Sequence, residues 1–315
     1  MQKLKITLFT DRRPGHEKQS RGIIDALSRY IDVALSIIAV ERLHPAAYVA
    51  SHLRYLCHID RCPEQVIGSD LIIGTGSRTH IPVLSAARTS HAKAVTCMTP
   101  VGHLIKHFDL CFVPLHDKVK ESTAIFRTIG PPNVAVSAGK HDANRGLILI
   151  GGIDEGSHVW SNERLVDDIS KLLSEERQWT ISTSPRTPAD TEALIPGMIR
   201  ERQNVSFLPF SVTPAGWIEE QYRCNASVWI TADSVSMVYE ALSAGCGVGI
   251  LPVQWKKSDN KFKRSLDYLA DRNLVIQFDA YQPGKNNPLS NNEPLNEADR
   301  CAKEILRRWW PKSIA

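Results

Sequence analysis

Residues 231–251 read TADSVSMVYEALSAGCGVGIL. The run Ala226–Ile230 that leads into them reads as a buried parallel strand. Ser234 is expected as an N-cap, and Val235, Val238, Ala241 and Leu242 mark one helix face. Gly245 stands where a C-terminal cap is wanted, and Val248–Leu251 starts another strand. The stretch is therefore strand–helix–strand, with Ser234 and Ser236 at the helix start and Glu240 midway. A helix start offers free amides and the positive end of a dipole to an anion. A carboxylate further along can accept two sugar hydroxyls. The pairing suits a nucleotide, with diphosphate at the helix start and ribose at Glu240.

Outward from this stretch, strands and helices alternate. Strands are expected at Lys5–Thr10, Val33–Val40, Leu71–Gly74, Ala92–Cys97 and Leu110–Val113. After Gly130-Pro131-Pro132-Asn133 they resume at Leu147–Ile150, Trp179–Thr183, Val205–Phe207, Val228–Thr231, Val248–Leu251 and Leu274–Gln277. Helical patterns such as Gly22–Tyr30, Leu165–Glu175 and Ser234–Ala244 fill the gaps. Such alternation predicts an α/β chain with parallel sheets covered on both faces. Because the pattern starts twice, we expect two doubly wound, Rossmann-like domains facing a cleft, 1–140 and 141–295. Tyr281–Pro294 reads as a loop, and Asn296 precedes a helix ended by Pro311.

Composition narrows the class. A chain of 315 residues is long for one core and comfortable for two. Hydrophobic content of 43% and charged content of 23% exclude a disordered chain. The net charge of +4 fits an anionic substrate or membrane surface but is too weak for nucleic acid. Seven cysteines, an odd number without a CxxC pair, read as core residues in a reducing compartment. Cys57, His58 and Cys62 lack a second cluster, so no metal is expected. No apolar stretch approaches the ~18 residues of a membrane span, and the N-terminus lacks a signal-peptide core. The expected location is therefore cytoplasmic.

Three strand-end segments carry candidate chemistry, because ligands bind outside the carboxyl ends of strands in open α/β sheets. The first is Asp11-Arg12-Arg13-Pro14-Gly15-His16-Glu17, read as a loop with the next helix starting near Lys18 or Gln19. Glu17, His16 or Asp11 could take a proton from an acceptor hydroxyl, and Gly15 would let the backbone approach a ligand. A solvated charged turn is the bland alternative. The second is Gly74-Thr75-Gly76-Ser77-Arg78-Thr79, with free amides and one Arg for an anionic group; a tight turn accounts for it equally well. The third is Gly151-Gly152 with Asp154, Glu155 and His158 downstream. A double glycine fits a phosphate-approach loop or a tight turn. Asp154 and Glu155 would repel phosphate if turned inward. Pro209-Phe210 and Tyr222 are candidates to frame a base.

Glu240-Ala-Leu-Ser-Ala-Gly-Cys-Gly-Val248 resembles the E-A-x-x-x-G-x-P-V signature of the donor domain of GT-B glycosyltransferases. Thr231-Ala-Asp-Ser-Val-Ser-Met-Val238, with Asp11-Arg-Arg-Pro-Gly-His-Glu-Lys-Gln-Ser20, resembles the mitochondrial-fission "elongated mitochondria" family. Its bacterial members are regarded as GT-B glycosyltransferases of cell-surface glycan assembly. The resemblance implies that a nucleotide-sugar binds the second domain through Gly151, Gly152, His158, Asp233, Ser234, Ser236 and Glu240. A glycan acceptor, of lipopolysaccharide or capsule type, would meet the first near Gly15, Gln19, Gly76, Ser77 and Arg78. It also implies that the last helix, 296–312, crosses back to the first domain. Gly247 departs from the signature proline. Ala232 stands where retaining relatives often carry a second Glu, which leans toward inversion. No cofactor is expected. A non-catalytic scaffold and a nucleotide-sugar epimerase are the alternatives. Trp309 and Trp310 beside Arg307, Arg308 and Lys312 suit a peripheral contact with an anionic membrane, or packing at the domain junction.

Overall fold

The computed structural model describes residues 3–59, 63–137, 140–173, 177–282, 285, 288 and 294–314. Cys62, Glu175 and most of the segment between Tyr281 and Pro294 lie outside them. The chain divides into unit 1, Met1–Val134 with Asn296–Ala315, and unit 2, Ala135–Leu295.

Unit 1 opens with β1 (Leu4–Thr10), α1 (Pro14–Leu27), β2 (Val33–Ala39) and α2 (Pro45–Leu56). It continues through β3 (Leu71–Thr75), α3 (His80–Ser90), β4 (Lys93–Cys97), β5 (Leu110–Pro114) and β6 (Ile125–Thr128). The sheet order is β2-β1-β3-β4-β5-β6, and every neighbouring pair is parallel. Alternation along β1 sends Leu4, Ile6 and Leu8 to the core shared with Ile23, Ile24 and Leu27 of α1. Phe9 goes to the opposite core, with Ile81 and Leu84 of α3. From β1 the chain steps to β2 on one side and returns to β3 on the other, so direction reverses between β1 and β3.

Unit 2 runs β7 (Asp142–Leu149), β8 (His158–Val159), α4 (Asn162–Leu172), β9 (Gln178–Ser182), α5 (Ala189–Ile199), β10 (Val205–Leu208) and α6 (Trp217–Cys224). Then follow β11 (Asn225–Thr231), α7 (Val235–Ser243), β12 (Gly247–Leu251), β13 (Gln254–Trp255), α8 (Lys261–Asp271) and β14 (Val275–Gln277). Its parallel sheet is ordered β10-β9-β7-β11-β12-β14, with β8 and β13 paired antiparallel beside it. Here the direction reverses between β7 and β11. The last helix, α9 (Glu297–Trp309), belongs to unit 1. Its Cys301, Ala302, Ile305 and Leu306 join the α1 core, and the Tyr30 hydroxyl donates to Asp299 at 2.8 Å.

The two six-stranded parallel sheets are the fold that the strand–helix alternation predicts. Gly245, at φ +85°, closes α7: its N–H reaches Leu242 O at 3.1 Å and that of Cys246 reaches Ala241 O at 3.0 Å. That is a Schellman cap, in a backbone region that favours glycine. The start of α1 differs from the sequence reading. Arg13 is extended and caps the helix, and Pro14 occupies its first position. Proline's fixed φ is preformed for that place, so His16 and Glu17 lie in the first helical turn and not in a loop. Strand β6 and the β8–β13 pair were also unforeseen; the segments are short and too polar to stand out as apolar runs.

Candidate functional site

At the end of β1 the Asp11 carboxyl is 1% exposed. It accepts the Arg13 N–H at 3.2 Å and the His16 Nδ1 at 3.0 and 3.1 Å. An ionised carboxylate only accepts, so in the neutral ring Nδ1 carries the proton and Nε2 the lone pair. The imidazole rests on Gly76, at the end of β3; a Cβ there would lie 2.4 Å from Nδ1, and its φ is +93°. The pair therefore sits where unit 1 reverses strand order. Glu17 turns elsewhere, accepting the Thr10 hydroxyl at 3.2 Å and facing Arg21 at 3.6 Å. Gln19 donates back to Gly15 O at 3.2 Å. A Cβ on Gly15 would meet nothing within 4 Å, so close packing does not require glycine there. Ser77 is exposed, and Arg78 lines a hollow of about 520 Å³ beside Phe9 and Ile81. Behind this edge His80 is buried, with neither ring nitrogen partnered among the described residues. Burial first, then the nearby His52 and His16, push it down to about 4.

The reversal point of unit 2 holds a second buried carboxylate. Asp233, after β11, is 1% exposed. Its Oδ2 accepts the Gly152 N–H at 3.0 Å, Arg186 Nη2 at 2.8 Å and the Ser234 hydroxyl at 3.1 Å. The Gly151 N–H donates to Thr231 Oγ1 at 2.7 Å. Both glycine amides, in the segment read from sequence as a phosphate-approach loop or a tight turn, thus serve the protein itself. The glycines are needed for close approach: a Cβ on Gly151 would lie 2.2 Å from Asp233 and Ser234, and one on Gly152 2.0 Å from Arg186 O. Ser234 holds the N-cap position without a side-chain capping bond. Arg186, Ser234, Ser236 and Met237 line a groove of about 790 Å³, together with Asp154 and Glu155. The first amides of α7 have no partner inside the helix. The groove thus offers an anchored guanidinium, hydroxyls and a positive helix end to an anion.

Glu240 is buried one turn after Ser236. Tyr222 is buried as well and does not frame a base. Its hydroxyl is pushed well above the usual range by burial and then by the Glu240 charge. His158 is buried in an aromatic cluster with Trp160 and Trp255, its Nδ1 2.7 Å from the Ser157 hydroxyl. Arg186 was missed in the sequence, although it follows the carboxyl end of β9, where ligand groups concentrate.

Trp309 and Trp310 pack against the unit 1 core, while Arg307 and Arg308 bind Glu304 at 2.8 and 2.6 Å. Among the described residues no helix is long and apolar enough to cross a membrane. Among them, too, no three His, Cys, Asp or Glu side chains group to hold a metal.

Comparison with known structures places the fold. A UDP-N-acetylglucosamine 2-epimerase superposes with a TM-score of 0.56 at 14% identity, over 98% of this chain and 97% of that one. The UDP-GlcNAc 2-epimerase of Methanocaldococcus jannaschii gives 0.50 at 14%, over 97% and 100%. Phytolacca americana UGT2, complexed with UDP-2-fluoro-glucose and pterostilbene, gives 0.52 at 10%, over 98% and 91%. At such identities the likeness is one of fold, the two-sheet GT-B architecture. A sequence comparison with curated proteins finds no match. The family description Mitochondrial fission ELM1 matches residues 14–309, most of the chain, and the protein belongs to that family.

Proposed function

We propose that this protein is a cytoplasmic glycosyltransferase that moves a sugar from a nucleotide-sugar to a cell-surface glycan acceptor of lipopolysaccharide-core or capsule type. The observation that carries the proposal is the Asp11–His16 pair: a buried carboxylate fixes the tautomer of a ring whose Nε2 can take a proton. His16 accepts the proton of the acceptor hydroxyl as its oxygen attacks the anomeric carbon. The bond from that carbon to the diphosphate oxygen breaks, and the sugar inverts. Asp11 stabilises the imidazolium that forms. The leaving diphosphate is met by Arg186, Ser234, Ser236 and the first amides of α7. Glu240 is assigned the ribose hydroxyls, on its place in the E-A-x-x-x-G pattern and one turn after Ser236. Gly151, Gly152 and Asp233 hold the donor loop in shape, with His158 in support. Gly15, Gln19, Gly76, Ser77 and Arg78 frame the acceptor side.

The test is a thermal-shift screen across UDP-, GDP-, ADP- and CMP-sugars. Turnover of the stabilising donor with lipopolysaccharide-core and capsule fragments follows, with NMR of the product. A transferred sugar of inverted configuration is expected. Conversion of the donor to its epimer without acceptor would make the protein an epimerase. No shift with any nucleotide-sugar would leave a scaffold.

A further inference from the structure

A hollow of about 520 Å³ opens between α2 and α3 of unit 1, a volume in the range of small-ligand sites. Its buried floor is apolar: Phe9 of β1 with Ile81 and Ala86 of α3. Its polar lining consists of donors. Tyr48, Ser51 and Arg54 come from α2, Arg78 from just before α3 and Ser85 from its second turn. The Ser51 hydroxyl is engaged on Tyr48 O at 2.7 Å. The side chains of Arg54 and Arg78 and the hydroxyls of Tyr48 and Ser85 make no hydrogen bond or ion pair among the described residues.

No carboxylate is among the described residues that line the hollow. Glu41 and Glu64, close along the chain to Leu43 and Pro63 of its lining, are exposed and stand outside it; Asp60 and Arg61 lie outside the described residues. A guanidinium only donates, and its planar fork matches phosphate oxygens. Inorganic phosphate alone would leave the apolar floor in water, and a purely apolar molecule would leave both guanidinium groups without an acceptor. An anion with an apolar body satisfies both surfaces.

We propose that this hollow is a binding site for an organic phosphate, with the phosphate at Arg54 and Arg78 and the apolar part on Phe9 and Ile81. Phe9 stands two residues before Asp11, and Arg78 two residues after Gly76, on which His16 rests. The ligand is thus held beside the His16 edge of unit 1, as the phosphorylated, apolar end of the acceptor. That last assignment rests on the proposed transferase activity; the site itself does not.

The test is calorimetry of the full chain with hexyl phosphate, hexanol, inorganic phosphate and glucose 6-phosphate. Hexyl phosphate is expected to bind at least ~10-fold more tightly than each of the others. Arg54→Met with Arg78→Met should weaken it at least ~10-fold while the melting temperature holds, and Ser85→Phe, which fills the hollow from a half-buried position, should do the same. Absence of hexyl phosphate binding overturns the proposal, as does equal binding by the double-Met variant. Equal affinity for inorganic phosphate or glucose 6-phosphate overturns it too, because the apolar floor would then play no part. Hexyl phosphate binding by a protein that transfers no sugar would uphold the site and retire the transferase; sugar transfer without hexyl phosphate binding would retire the site alone.

Discussion

Units 1 and 2 each hold a nearly inaccessible Asp where their strand order reverses, and each Asp orients one basic side chain. Asp11 grips the imidazole of His16; Asp233 grips the guanidinium of Arg186. An imidazole exchanges a proton near neutrality, whereas a guanidinium does not give one up. The two reversal points have thus been given, from opposite strands of the pair that flanks them, one group suited to proton transfer and one suited to a fixed anion. The glycines repeat the parallel. Gly76 makes room for His16 and Gly151 for Asp233 and Ser234, so in both units a missing side chain sets the position of the working one.

The comparison breaks most readily at His16. His16→Ala should lower sugar transfer by about 10²–10⁴-fold, the usual cost of a lost general base, and leave nucleotide affinity unchanged in calorimetry. Equal losses of both would end the division of labour between the units. In the other unit, Arg186→Met should weaken nucleotide-sugar binding by about 1.5–3 kcal/mol, the range for a charged hydrogen bond. At saturating donor the rate should stay below that of the unaltered protein, because the same guanidinium meets the leaving diphosphate. Glu240→Gln should cost about 1–3 kcal/mol of nucleotide affinity if the carboxylate holds the ribose; a fall in melting temperature with affinity intact would make it a structural residue.

Acid should strain the His16 side of unit 1. His80 is held at about 4 by burial, against 6.5 for a free histidine. As pH falls, the unfolded chain gains that proton first. The contribution to stability is therefore full above about 6.5 and lost as pH drops toward 4, amounting to about 2 kcal/mol by pH 5. Urea unfolding of His80→Leu beside the unaltered protein should show a shallower decline between pH 7 and 5; parallel curves would exclude the effect. The smallest change expected is that of Glu17→Gln, whose carboxylate faces Thr10 and Arg21. Transfer should fall by less than about tenfold, and a loss matching that of His16→Ala would move the base to Glu17.

Much of this was legible from local pattern. Buried parallel strands are continuous apolar runs, as at Leu71–Ile73 and Val228–Ile230, and helix ends carry their own chemistry, as at Gly245 and Asn296. Proline at the first position of α1 was equally readable but outweighed by the charged cluster around it, so His16 and Glu17 were assigned to a loop. Tyr222 was a candidate to frame a base, and only the tertiary structure shows it fully buried. Arg186, alone in a polar turn, carried no pattern that singled it out.

The sequence by itself determined the strand–helix rhythm, the family and the short list of strand-end residues, because those follow from side-chain periodicity and from backbone preferences a few residues wide. Tertiary structure alone decided which members of the list touch. Asp11 and His16 come together with Gly76, and Gly151 and Gly152 with Arg186 and Asp233, because sheet order places β1 beside β3 and β7 beside both β9 and β11. Strand pairing is a choice among distant segments, made by burial summed over the whole sheet, and no window of sequence contains it.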